Sequence, residues 1–288
     1  PAPLDGEALN PDDPGDRRQH LAAWLTSPDN PYFTRTIANR VWAAFFGIGL
    51  VDPVDDLRES NPASNEPLLD ALADQLVENG YDLKSLMRLI LQSETYQRGS
   101  VTLPENAGDT RYFSRYYPRR LMAEVLHDAI ASVTGVPGDF NAIKLQDGSE
   151  QKTDFYPKGT RALQLYDSAV ASYFLKTFGR NERDIACECE RSIQPSMVQA
   201  MHLSNGDTVN TNLARADSRV TKLIQQFGSD HRALINEAYM ISLARAPSKS
   251  ALSRPLASFT ATPAAEVRAA VEDLFWALMT SREFLFQH

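Results

Sequence analysis

The stretch "SNEPLLDALADQLVENGYDLKSLMRLILQSETYQ", residues 64–97, carries two complete helix signals almost end to end, and that leaves few folds open. Leu68, Leu69, Leu72 and Leu76 recur every three or four residues between a Ser/Asn cap and Gly80, so they share one helical face. Asp82 then opens a second segment in which Leu83, Leu86, Met87, Ile90 and Leu91 form another. With so short a link, the two segments predict a helical hairpin.

The same period recurs along the chain. "RLMAEVLHDAIASVTG" places Met122, Val125, Leu126, Ala129, Ile130 and Val133 on one stripe closed by Gly135. "PYFTRTIANRVWAAFFGIG" runs from Pro31 to Gly47 with Ile37, Val41 and Phe45 four apart, and Leu21, Trp24 and Leu25 make a shorter stripe that Pro28 stops. "SAVASYFLKTFG", "PSMVQAMHLSNG", "DTVNTNLARADSRVTKLIQQFG", "SDHRALINEAYMISLARAP" and "TPAAEVRAAVEDLFWALM" read as further helices between Gly and Pro stops. Only 136–168 lacks periodicity, with "TRALQLY" as its one candidate strand. The expected architecture is all-α: a mainly helical, multi-helix bundle with an irregular central segment and at most one or two short strands. A Pro- and Asp-rich arm, 1–16, precedes a single helical domain, 17–288, that carries the insertion at about 136–168. "LMRLILQSETYQ" and "LFWALMTSREFLFQ" echo each other, each ending an apolar helix with Ser, two polar residues and an aromatic.

Charge narrows the functional classes. A formal charge of −8 argues against a nucleic-acid partner, which needs a basic face to displace phosphate counterions. No apolar run is long enough to span a membrane, and the opening "PAPLDGEALNPDDPGD" lacks the basic-then-apolar order of a signal peptide, so if the protein is exported its signal lies upstream.

Two constellations carry potential chemistry. Cys187 and Cys189, the only cysteines, sit in "DIACECERSIQP". In extended backbone such a pair has Cα atoms roughly 6.5–7 Å apart, at the upper edge for a disulfide, so closing one requires a bend and gives a reducible, redox-active bond. As metal ligands, Cys187 and Cys189 supply only two of the four that structural zinc takes, with His202 and Glu188 or Glu190 as nearby additions that lack a standard spacing. Packing as reduced, half-buried side chains is the plainest reading and comes first, ahead of the disulfide and then the metal. The second constellation is rich in arginine: Arg40, Asp56, Arg58, Arg161 and Arg191 as ligand-binding candidates, with Asp55 and Arg180 nearby in sequence. Arginine forks suit a ligand carboxylate or sulfate, but internal ion pairs are the commoner use. Asp55 and Asp56 diverge in extended backbone and make no catalytic dyad by themselves. His127 and His202 read as structural histidines, and Trp24, Trp42 and Trp276 as core residues.

Four blocks in order, "NPYFTRTIANRVWAAFFGIGLVDPVDDLRESNPASNEPLLDALADQLVENGYDLKSLMRLILQSETYQ", "YYPRRLMAEVLHDAI", "FGRNERDIACECERS" and "DLFWALMTSREFLFQH", make residues 17–288 resemble the domain of unknown function 1553 of planctomycetes and related bacteria. The resemblance implies a C-terminal region of exported, periplasmic or extracellular, multidomain proteins that often carry a c-type cytochrome domain and sometimes lectin-like modules. It implies no reaction. This chain has no Cys-x-x-Cys-His, so no cofactor is expected within it and haem belongs on a neighbouring domain. The expected function is that of an accessory or binding module whose partners are the other domains of its polypeptide and polysaccharide, with a role on extracellular polysaccharide or in electron transfer. The alternative is an enzyme with an Arg/Asp-rich pocket and a redox or metal-binding Cys-x-Cys.

Overall fold

The computed structural model describes residues 2–4, 6, 8–10, 12, 15–145, 147–166, 168–181 and 195–287. Two compact units divide the chain, Pro1–Pro118 and Arg119–Gln287. The described residues are mainly helical, as the periodicity predicts. The strands among them number four, each two or three residues long.

In the first unit, α1 (Arg17–Leu25) starts where the Asp16 carboxylate accepts from the Arg18 amide, but it buries none of its side chains. Its stripe of three apolar residues is too narrow, and Leu21 lies exposed. α2 (Pro31–Phe46) is capped by Asn30, which accepts from the amides of Tyr32 and Phe33, and ends at Gly47 in the left-handed region. Its buried face is built on Ala38, Val41, Trp42 and Phe46, while Ile37 and Phe45 are partly buried. The rings decide this: Trp42 stacks on Phe46 at 4.2 Å, and Phe113 meets both edge-on.

α3 (Glu66–Glu78) packs on α2, and α4 (Leu83–Gln92) completes the predicted hairpin. Asn65 and Asp82 cap them, each accepting a first-turn amide, from Leu68 and Lys84. Between the helices Gly80 and Tyr81 both have positive φ, and the Tyr81 hydroxyl is tied to the Thr26 carbonyl at 2.8 Å. Leu69, Leu72, Leu76, Leu86 and Ile90 are buried; Leu83 and Leu91, at the margins of the α4 stripe, are not.

The second unit runs β1 (Arg119–Arg120), α5 (Ala123–Thr134), β2 (Ala142–Lys144), β3 (Glu150–Lys152), α6 (Tyr173–Thr177), α7 (Met197–Asn205), α8 (Asp207–Ala214), α9 (Arg219–Phe227), α10 (His231–Leu243), α11 (Lys249–Ala261), α12 (Val267–Met279), α13 (Arg282–Leu285) and β4 (Phe286–Gln287). β1 and β4 pair antiparallel, Arg119 with Gln287, and so join the two ends of the unit. α5 contributes Leu126, Ile130 and Val133 to a core shared with Phe174, Phe178, Leu234, Val271 and Phe275. Each such side chain removed from water stabilises the fold by about 1.5–3 kcal/mol.

Three local expectations change. "TRALQLY" forms a 3-10 turn, Ala162–Gln164, and the strand pairing of the irregular segment is instead β2 with β3, Ile143 opposite Gln151. The segment 207–227 breaks into α8 and α9, because buried Ser218 turns back to donate to the Leu213 carbonyl at 2.9 Å. α11 has no counterpart in the sequence reading, since it holds Pro255 in its interior, where a ring normally ends a helix.

The sequence echo has a structural counterpart. At the end of α4 the Ser93 hydroxyl donates to the Ile90 carbonyl at 2.6 Å and accepts from the Tyr96 amide at 3.2 Å. At the end of α12 Ser281 makes the same two bonds, to the Leu278 carbonyl at 2.6 Å and from the Phe284 amide at 3.3 Å. Each serine stops its helix and turns an aromatic back into the core of its own unit, Tyr96 in one and Phe284 in the other.

Candidate functional site

α5 combines an apolar stripe with three polar residues at spacings of three and four, Glu124, His127 and Asp128, which therefore share a second face. Glu124 lies 3.8 Å from the Nε of Arg180, with side chains only 10% and 8% exposed. Arg120 stands over the Phe178 ring at 5.5 Å and donates to the Phe178 carbonyl at 3.0 Å. One helical turn on, Asp128 accepts from the Ala162 amide at 2.7 Å and the Leu163 amide at 3.3 Å, and its other partner is the Arg161 Nε at 3.5 Å. Arg161 and Arg180, far apart in sequence, thus dock one turn apart on a single helix. Their carboxylate partners were not singled out by the sequence, although charged residues at these offsets in an otherwise apolar helix are the signal that marks them.

His127 sits between those two ion pairs, wedged by the rings of Phe140 and Phe174 at 5.1 and 5.5 Å. Its Nδ1 is enclosed and 3.6 Å from the Asp128 carboxylate. The ring lines a cavity of about 310 Å³ whose other walls include Asp139, Lys158, Thr208, Asn212 and Arg215. Gly138 permits this approach: a Cβ there would meet His127 Cε1 and Phe140 Cε2 at 3.1 Å. Across the cavity the Thr208 hydroxyl is held by His202 Nε2 at 3.0 Å, and His202 packs on Phe174 and Phe178.

Burial pushes both imidazoles below the ordinary value of 6.5, with Asp128 opposing it at His127 and Asp207 at His202. The unfolded chain then binds these protons more readily than the folded one, so their contribution is fully present above pH 6.5 and is lost as pH falls through the lowered values. His127→Gln is expected to flatten the fall in unfolding free energy on the acid side of pH 6.5, measured by urea denaturation at a series of pH values. An unchanged slope would show that His127 titrates as it does in the unfolded chain.

The other sequence candidates fall out as follows. Arg40 makes a two-pronged pair with Asp55, at 2.7 and 2.9 Å, and Arg58 makes one with Asp56, at 2.5 and 2.7 Å, so the adjacent carboxylates serve different arginines. The Arg58 pairing holds Asp56 below the usual carboxylate range. Those four residues belong to the first unit, and Arg161 and His202 to the second. Cys187, Cys189 and Arg191 lie outside the described residues. Among the described residues no group of three His, Cys, Asp or Glu could hold a metal ion. Trp42 is core, whereas Trp276 is partly exposed and donates to the Ser204 carbonyl at 3.2 Å. A larger cleft, about 1010 Å³, runs beside α10, α11 and α12; its charged walls include the two-pronged Arg245–Glu283 pair, which is engaged internally.

No helix among the described residues is long and apolar enough to cross a membrane. No curated protein and no solved structure matches the chain. A family model does match, over residues 17–258, a span that includes both arginine dockings, His127 and Thr208. Its members are described as PSD1, protein of unknown function (DUF1553), and the chain belongs to that family.

Proposed function

We propose that the chain is an accessory binding module of an exported multidomain bacterial protein, and that it contacts extracellular polysaccharide through the irregular segment of its second unit. One observation carries this reading. Phe155 and Tyr166 are 60% and 61% exposed, yet their rings meet edge to face at 5.5 Å and 89° and both pack on the buried Tyr156. Two large exposed rings packed against each other form an apolar face, and such a face favours a partner that is itself apolar on one side and hydroxylated at its edges. The C–H face of a pyranose ring has that character. Their packing on Tyr156 lowers the cost of ordering the rings when a ligand arrives. Partner domains of the same polypeptide, a c-type cytochrome domain among them, belong to the same proposal.

The test is affinity electrophoresis of the intact chain through gels containing neutral or acidic polysaccharides. The wild-type chain is expected to be retarded by at least one of them, and F155A/Y166A to migrate freely with an unchanged thermal midpoint. No retardation by any polysaccharide, or retardation that survives the double substitution, would overturn the reading.

A further inference from the structure

We propose that the cavity of about 310 Å³ beside α5 binds a small, neutral, polyhydroxylated ligand, with His127 Nε2, the Thr208 hydroxyl and the Asn212 amide as its polar contacts. The site is separate from the Phe155–Tyr166 face and does not depend on it.

The inner wall is polar and held in place. His127 is confined on both faces by Phe140 and Phe174, and its Nδ1 is enclosed beside Asp128. The carboxylate is itself anchored by two backbone amides, so it favours the tautomer with the proton on Nδ1. That leaves Nε2 as an acceptor, and among the described residues Nε2 has no partner. Thr208 contributes a hydroxyl whose orientation His202 fixes. Asn212 adds an amide with both donors and acceptor unengaged among the described residues, which is the pattern that grips a hydroxyl pair. A wholly apolar occupant would leave those groups unsatisfied, while Ile130, Val136 and Pro137 give the cavity an apolar side that a sugar ring's C–H face can meet.

The rim sets the charge. Asp139 and Asp207 face Lys158 and Arg215, two of each sign. Arg215 is already forked onto Asp217 at 2.9 and 3.0 Å, and Lys158 acts on the same Asp217 carboxylate. A free anion therefore meets no spare fork, and a cation meets no cluster of ligands. What remains is a neutral molecule with several hydroxyls. The volume sits at the low end for small-molecule pockets, about 300–1,000 Å³, so it suits a single sugar ring.

The experiment is NMR of the intact chain, following the imidazole Cε1–H resonance of His127 during titration with glucose, galactose, fucose and xylose, and with glucuronate and glucosamine as charged controls. At least one neutral sugar is expected to shift it saturably. Asn212→Leu should weaken that binding by about tenfold or more with an unchanged thermal midpoint, as should Thr208→Val, which also gives up the bond to His202. F155A/Y166A should leave it intact while abolishing polysaccharide retardation, which separates this site from the aromatic face. The proposal fails if no neutral sugar moves His127, if only the charged controls do, or if both N212L and T208V bind as tightly as the wild-type chain.

Discussion

Arg180→Ala is expected to cost about 3–5 kcal/mol of unfolding free energy, because it removes the guanidinium that stands against the enclosed Glu124 carboxylate. The size follows from burial. An exposed pair of the same geometry is worth about 0–1 kcal/mol, since water screens it and solvates whichever partner is left. Here both side chains are about nine-tenths removed from water, and Arg180 also reaches the Leu165 carbonyl at 3.5 Å, so its loss loosens the turn that follows Arg161 as well. The pair itself need not be strongly stabilising, because desolvating two charges offsets most of their attraction. Replacing both partners, E124L/R180M, should therefore recover most of what Arg180→Ala loses. Urea denaturation of the two variants and the wild type gives the comparison. A loss below about 1 kcal/mol for Arg180→Ala would mean that water or another group, and not Arg180, supports the Glu124 carboxylate in the folded chain.

The same pair shows how a site can be half legible. Arg180 and Arg161 stand out in the sequence because arginine in loops invites a partner, and the natural partners to suspect are neighbours. The structure supplies partners from a helix instead, 33 or more residues away in the chain: Glu124 and Asp128. Their helix is readable from its apolar stripe alone, and a stripe says nothing about which loops will cross the opposite face. By contrast Arg40 with Asp55 and Arg58 with Asp56 are pairs within one short stretch, and there the internal ion-pair reading suffices. His127 belongs with the first case. It reads as structural from its helix and becomes a cavity wall only when Gly138 and α8 are placed beside it.

At the level of the fold, whatever is written in one contiguous stretch could be read and whatever needs a distant stretch could not. The hairpin of α3 and α4, with Asn65, Gly80 and Asp82 as its punctuation, needs nothing from elsewhere. α1 shows the opposite: its three-residue stripe leaves Leu21 exposed and Trp24 and Leu25 only partly covered, Trp24 by the Tyr32 ring. α2 buries Trp42 and Phe46 in preference to Phe45 because Phe113, more than sixty residues later, arrives on that side. α11 forms around Pro255, where local propensity alone predicts a break, and its Phe259 is buried in the core of the second unit.

Asn39→Leu is the second substitution expected to have a large effect, for a reason that lies outside helix physics. Asn39 is fully buried on α2, where its amide donates to the carbonyls of Val51 and Val54 at 2.9 and 2.7 Å and its oxygen accepts from the Val51 amide at 3.0 Å. One side chain thus replaces the strand that the loop after Gly47 never pairs with. Leucine fills a similar volume and leaves three backbone groups unsatisfied, at about 1–3 kcal/mol each, so a total loss near 3 kcal/mol or more is expected. Gly49 leaves no room for the loop to shift, since a Cβ there would fall 2.2 Å from the Val51 carbonyl oxygen and 2.9 Å from Asn39 Oδ1. Asn39→Asp is the informative control. It keeps the acceptor for the Val51 amide but turns an oxygen toward two carbonyls, so it should be at least as damaging as leucine despite its near-identical shape. Hydrogen exchange at the Val51 amide, read beside urea denaturation, separates the two losses: Asn39→Leu should lose protection there, while Asn39→Asp should retain part of it. If Asn39→Asp were as stable as the wild type, the amide donors would not be what holds the loop, and the Asp55 and Asp56 ion pairs that the loop presents would have to be supported from elsewhere.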